Sequence, residues 1–86
     1  MKSFSYEITD KVGIHARPAG LIVKEAEKFK SDIEIKTEGG KIADAKRIFS
    51  VMGLGAKCGD TITININGSD EELAKNELQH FLKTTL

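Results

Sequence analysis

Thr61-Ile62-Thr63-Ile64-Asn65-Ile66-Asn67 decides the fold. Isoleucine fills every second position, and Thr or Asn fills the others. A period of two belongs to a β-strand, whose successive side chains point to opposite faces. The predicted strand is apolar on one side only. One wet face marks an antiparallel sheet, because parallel sheets are covered on both sides. Two other stretches share the pattern. Phe4, Tyr6 and Ile8 alternate with Ser3, Ser5, Glu7 and Thr9, and Ile33 and Ile35 alternate with Asp32, Glu34 and Lys36. Glu38-Gly39-Gly40-Lys41 comes next. Paired glycines suit a tight hairpin, so a short strand near Lys41–Asp44 is expected to pair back.

Between the strands the period becomes helical. Over Ala16–Lys28 and into the next residue, Ala19, Ile22, Val23, Ala26 and Phe29 recur at spacings of three and four. A short second helix carries Ile48, Val51 and Met52 on one face, with Gly53 and Gly55 as stops. A third runs from about Asp70 to Lys83, with Ala74, Leu78, Phe81 and Leu82 as its stripe. Ser69-Asp70-Glu71-Glu72 fits a capping box, with Ser69 on a first-turn amide and Glu72 reaching back. Asp44 is placed to cap the second helix. The order β-α-β-β-α-β-α predicts a two-layer α+β fold, a four-stranded antiparallel sheet with three helices on one face. No repeat or linker divides residues 1–86, which read as one domain.

Composition narrows the function. Thirteen Lys+Arg balance thirteen Asp+Glu, against the excess positive charge that a broad nucleic-acid or membrane footprint needs. No apolar run approaches the roughly 20 residues of a membrane span. Met1–Glu7 lacks the apolar core of a secretory signal, so a cytoplasmic protein is expected. Cys58 is the single cysteine and cannot form an internal disulfide. With two distant histidines it makes a poor metal set, so neither metal nor cofactor is expected. A chain of 86 residues has no room for a deep cavity, and its chemistry belongs at the surface.

Gly13-Ile14-His15-Ala16-Arg17-Pro18-Ala19 joins the first strand to the first helix. Pro18 has no amide hydrogen and is best tolerated in an opening turn, which puts the helix start near Ala16. His15 then sits at the N-cap, ahead of backbone N–H groups with no helical partner. Such an end attracts anions, its dipole adding ~0.3–1 kcal/mol. Arg17 supplies a permanent cation suited to phosphate oxygens. Neutral imidazole, with an ordinary pKa of about 6.5, is a nucleophile near pH 7. Attack on a phosphoryl group would place new negative charge beside Arg17 and the amides of Ala16 and its neighbours. No P-loop or Mg-binding acids are visible, so the expected donor is another phosphorylated protein. Such a domain is a carrier and not an enzyme. A polar surface histidine with no chemistry is the other reading that the residues leave open.

The same segment resembles the active-site signature of HPr, the histidine-containing phosphocarrier family of the bacterial phosphoenolpyruvate:sugar phosphotransferase system. The likeness extends to Phe29-Lys30-Ser31-Asp32-Ile33 and to Lys46-Arg47-Ile48-Phe49-Ser50-Val51-Met52-Gly53-Leu54-Gly55, and so covers nearly the whole chain. The element order agrees with that family's open-faced sandwich. The resemblance implies that His15 accepts phosphate on Nδ1 from enzyme I and passes it to the IIA domains of sugar permeases, with Arg17 steadying the group. It implies a monomer that docks through a patch formed by Ile48, Phe49 and Met52, which helical spacing keeps from all being buried, although two of the three could belong to the core. Gly20 either lets a partner backbone come close or is simply tolerated in the helix. Lys24 and Lys28 lie one turn apart and would attract an acidic partner, or form a solvated face.

The chain departs from the family at four places. Arg47 stands where many Gram-positive relatives carry a serine that a kinase phosphorylates, and arginine cannot take that phosphate. Ser50 falls where glycine is usual, and Val12 where a small polar residue is common. The segment from His15 to Arg47 is one residue longer than in the family, with the extra residue at Gly39-Gly40. These changes suggest a divergent or auxiliary member. Two other classes stay in view: an HPr-like regulatory module that docks without feeding transport, and a small α+β RNA-binding domain. The second lacks stacking aromatics on a wet sheet face, since Phe4 and Tyr6 both lie on the apolar side. His80 and Cys58 read as structural or surface residues.

Overall fold

The isoleucines of Thr61–Asn67 face a core shared by four strands and three helices in the computed structural model, which describes residues 1–86. The elements are β1 (Lys2–Glu7), α1 (Ala16–Ala26), β2 (Asp32–Thr37), β3 (Ile42–Asp44), α2 (Ile48–Met52), β4 (Thr61–Asn67) and α3 (Glu71–Thr85). The sheet runs β1-β4-β2-β3, with every neighbouring pair antiparallel. Phe4 lies opposite Ile64 on one side of β4, and Ile35 lies opposite Ile64 on the other. This register sends Ile33, Ile35, Ile62, Ile64 and Ile66 to the inner face, where all are buried. A slip of one residue would turn that set into water, so the alternation itself holds the register.

The helices contribute complementary stripes. Ala19, Ile22 and Ala26 of α1 and Ala74, Leu78 and Leu82 of α3 enter the same core as the isoleucines. Each stripe includes alanine beside larger residues, which lets the helices approach the sheet and each other. Helix α2 adds only Val51.

Element ends differ from the sequence pattern for local reasons. Ile8 and Thr9 leave the β1 ladder because their amides bond elsewhere, to Asp60 O and Leu86 O. Helix α1 stops at Ala26 rather than Lys28. Phe29 follows in a turn closed by its amide on Ala26 O, yet its ring is still buried. At the hairpin only Gly40 takes a positive φ, 92°, and β3 begins at Ile42. Asp44 does not cap α2. Its Oδ1 accepts from the Lys46 amide, its carbonyl accepts from the Arg47 amide, and Arg47 itself is the N-cap.

The capping box predicted at Ser69–Glu72 is absent. Asp70 is the N-cap of α3, and its carboxylate turns away from the helix. It accepts from the Lys30 amide at 2.8 Å, the Ser31 amide at 3.0 Å and the Ser31 hydroxyl at 2.5 Å. Ser31 is fully buried, and a buried hydroxyl needs a partner, which Asp70 supplies. Glu72 reaches Lys2 instead, at 3.1 Å, while Glu71 accepts from the Gly68 amide. This latch ties the start of α3 to the start of β2. Gly68 permits it, because a Cβ there would lie 2.5 Å from Ser31 Cα and Oγ.

Two predictions follow from this latch. Gly68→Ala should lose about 1–3 kcal/mol in urea melts, as overpacking against backbone does. The Ser31 hydroxyl, then the Lys30 amide, hold the Asp70 carboxyl below its ordinary value of 3.8. A depressed carboxyl contributes stability above that ordinary value, and the contribution is lost as pH falls through the folded value. The urea midpoint should therefore drop below pH ~4, and Asp70→Asn should flatten that drop while lowering the midpoint at neutral pH.

Candidate functional site

His15 is the N-cap of α1, with an extended backbone at φ −127° and ψ −170°. Its carbonyl accepts from the Ala19 amide, which starts the helix. Its imidazole makes no capping bond and no other hydrogen bond within the protein, and the residue is half-buried. The Ala16 and Arg17 amides have no acceptor in the protein, as expected of a first turn. Pro18 has no amide to leave unpaired, and its ring is buried under the turn. The end of α1 therefore offers two outward donors beside a free imidazole.

The loop before His15 is held on both sides. Ile8 exchanges backbone hydrogen bonds with the Ala56–Asp60 turn: the Ile8 amide donates to Asp60 O, and the Gly59 amide donates to Ile8 O. Farther on, the Ile14 amide donates to Ala56 O at 3.0 Å. Gly13 crosses this point with φ 79°, and a Cβ on it would lie 2.5 Å from Ala56 O and 2.8 Å from Lys57 Cα. Only glycine fits, for reasons of both conformation and space. Val12 is exposed, and its amide donates to Asp10 Oδ1.

Folding places Asp10, Thr84 and Thr85 opposite His15, Arg17 and Leu21 across a shallow cleft of about 280 Å³. Arg17 is exposed and forms no ion pair. It is the one permanent cation lining the cleft. A larger hollow of about 460 Å³ lies on the open sheet face between Asp32, Glu34 and Asp44. It holds no histidine or cysteine, and its Asn65 amide donates to Glu34. The histidine cleft is therefore the candidate site.

Beside it lies an apolar patch. Ile48, Phe49 and Met52 are 38%, 83% and 36% exposed, so none of the three belongs to the core. Gly20 faces this helix, since a Cβ on it would meet Ile48 Cδ1 at 3.6 Å. Leu21 of α1 is also exposed and lines the cleft. Leu21 was legible as an apolar residue outside the α1 stripe. Asp10, Thr84 and Thr85 carried no such signal, because distant chain segments bring them to the cleft.

The remaining residues of interest are engaged or isolated. Lys28 pairs with Glu25 at 2.9 Å, and Lys24 is exposed. Ser50 accepts from the Asp44 amide through Oγ, which ties α2 to β3. Arg47 lies 3.7 Å from Asp44 with most of its side chain in water. His80 is exposed near Glu25 and Glu77, away from His15. Cys58 is free, its Sγ 3.7 Å from Thr9 O.

Comparison with known proteins gives this geometry a setting. Residues 2–84 match the family model described as the PTS HPr component phosphorylation site. The chain is 43% identical over 83 residues to the phosphocarrier protein HPr of Mycoplasma pneumoniae, covering 96% of this chain and 94% of that one. It is 46% identical over 78 residues to the HPr of Buchnera aphidicola, covering 91% of each. The crystal structure of an HPr from Thermoanaerobacter tengcongensis superposes with a TM-score of 0.90 at 38% identity, covering 99% of this chain and 94% of that one.

The close approach at Gly13 can be tested directly. Gly13→Ala should cost roughly 1–2 kcal/mol for the left-handed backbone alone, and more once Ala56 has to move. Urea melts would register the loss. Gly39→Ala, which meets nothing nearer than 3.9 Å, should stay within about 0.5 kcal/mol of the parent.

Proposed function

The chain belongs to the HPr family and is a phosphocarrier of the phosphotransferase system, and on that premise we propose that His15 carries the phosphoryl group. The observation that supports this is the free imidazole of His15, half-buried at the N-cap between two acceptor-less amides and the unpaired Arg17. With its proton on Nε2, the ring attacks phosphorus through the Nδ1 lone pair. A bond forms between Nδ1 and phosphorus as the bond from phosphorus to the donor breaks, its electron pair leaving on the donor. The ring becomes a phosphorylated imidazolium. Its phosphoryl oxygens then accept from the Ala16 and Arg17 amides and from the Arg17 guanidinium. Transfer onward reverses the same step on an acceptor.

The donor in this reading is enzyme I and the acceptors are the IIA domains of sugar permeases, with the carrier working as a monomer in the cytoplasm. The docking face is the patch of Leu21, Ile48, Phe49 and Met52 beside the cleft. A helix that leaves Phe49 83% exposed gains from a partner that covers it. Gly20 keeps the α1 side of that face flat. Arg17 and Lys24 of α1 and Arg47 at the start of α2 are exposed cations on the elements that carry this face, which suits acidic partner surfaces. Arg47 also removes the hydroxyl through which serine-linked control acts in relatives, and the Ser50 hydroxyl is occupied by Asp44.

Incubation with enzyme I and phosphoenolpyruvate should raise the mass by one phosphoryl group. The adduct should be stable to base and labile to acid, and His15→Ala should abolish it. An unmodified parent protein, or a modified His15→Ala variant, would refute the assignment. Phe49→Ala should leave the fold intact and weaken transfer to a IIA domain by about tenfold or more, the cost of an anchoring aromatic. Titration of the transfer rate against IIA concentration measures this.

A further inference from the structure

Asp10 stands in the cleft with His15 and Arg17, and nothing in the function described so far uses it. Its side chain and its backbone close the same turn. Oδ1 accepts from the Val12 amide at 2.9 Å, and the carbonyl accepts from the Gly13 amide at 3.1 Å. The Asp10 amide donates to Leu86 O at 2.5 Å, which pins the turn to the end of α3. Gly13, the last residue of that turn, stands two residues before His15 and is locked against Ala56. The carboxylate is thereby built into the loop that aims the imidazole.

Its charge is uncompensated. Neither Asp10 nor Arg17 belongs to any ion pair of the protein. In the resting state the cleft holds one fixed anion and one fixed cation. A phosphoryl group on His15 adds negative charge to the same small space. It then competes with the carboxylate for the field of Arg17, and the carboxylate repels it.

We infer that Asp10 is a positioning residue for His15 whose charge also makes the phosphorylated state easier to discharge. The turn presents the ring, and the carboxylate keeps the phosphoryl group from being held too tightly by the amides and Arg17. A carrier needs that balance, since a group bound too well is not passed on. This inference rests on His15 being the phosphorylated residue.

Two variants separate the roles. Asp10→Asn keeps an acceptor for the Val12 amide and removes the charge, whereas Asp10→Ala removes both. Each is equilibrated with enzyme I at a fixed ratio of phosphoenolpyruvate to pyruvate, and the phosphorylated fraction is read by mass spectrometry at low and high salt. Both variants should shift the equilibrium toward the phosphorylated form, by about threefold to tenfold at low salt, and the shift should shrink at high salt. Initial phosphorylation of Asp10→Asn should be faster than that of Asp10→Ala, because asparagine retains the turn. An equilibrium equal to the parent's, a shift indifferent to salt, or equal rates in the two variants would overturn the inference. A parent protein that takes no phosphate on His15 would remove the functional reading itself. A phosphorylated parent with unresponsive Asp10 variants would remove this inference alone.

Discussion

The backbone of Gly13 and Ile14 passes so close to Ala56 that a single methyl group would not fit. The presentation of His15 depends on that contact. It welds the loop after β1 to the turn before β4, and the pairing of Ile8 with Gly59 and Asp60 completes the clamp. The imidazole thus projects from a loop held on both flanks by main-chain hydrogen bonds, ahead of a helix anchored by Pro18, Ala19 and Ile22. The proposed phosphoryl acceptor needs such rigidity, because a misplacement of about 1 Å can cost roughly a hundredfold in rate. A mobile histidine would lose most of that advantage.

Burial and exposure are divided with similar economy. The inner faces of the strands and the stripes of α1 and α3 account for most of the core, while α2 gives it one residue. A helix of five residues is marginal in water by itself. It persists through Val51, through Ser50 holding the Asp44 amide, and through its contact with Gly20 of α1. Phe49 takes no part in these contacts. Phe49 can therefore remain in solvent, where a partner can meet it, without weakening the sheet or the helices behind it.

Much of this was legible in the chain. The alternation in β1, β2 and β4 showed which face is buried, and it did so because the side-chain period of a strand is two. Pro18 marked the first turn of α1, which placed His15 at the N-cap before any coordinates. The resemblance to HPr pointed to the same histidine. The failures share one cause. Asp70 looked like part of a local cap, but it bonds to Lys30 and Ser31, nearly forty positions earlier. Asp44 looked like a helix cap and instead braces the turn before the helix. Short polar side chains have several partners of similar energy, and tertiary contacts choose among them. The cleft was invisible for the same reason: Thr84 and Thr85 reach His15 only when α3 has packed.

The strand order carries a further consequence for how the molecule comes into being. Strand β4 lies between β1 and β2, so Lys2 must await Ile66 before it has a neighbour. During synthesis the first half of the chain can form only helix α1 and the local hairpin of β2 with β3. Its mean contact separation is long, which slows collapse to the native state. The loop before His15 therefore lacks its clamp until the Ala56–Asp60 turn and the last strand are in place, and the proposed centre is assembled only then.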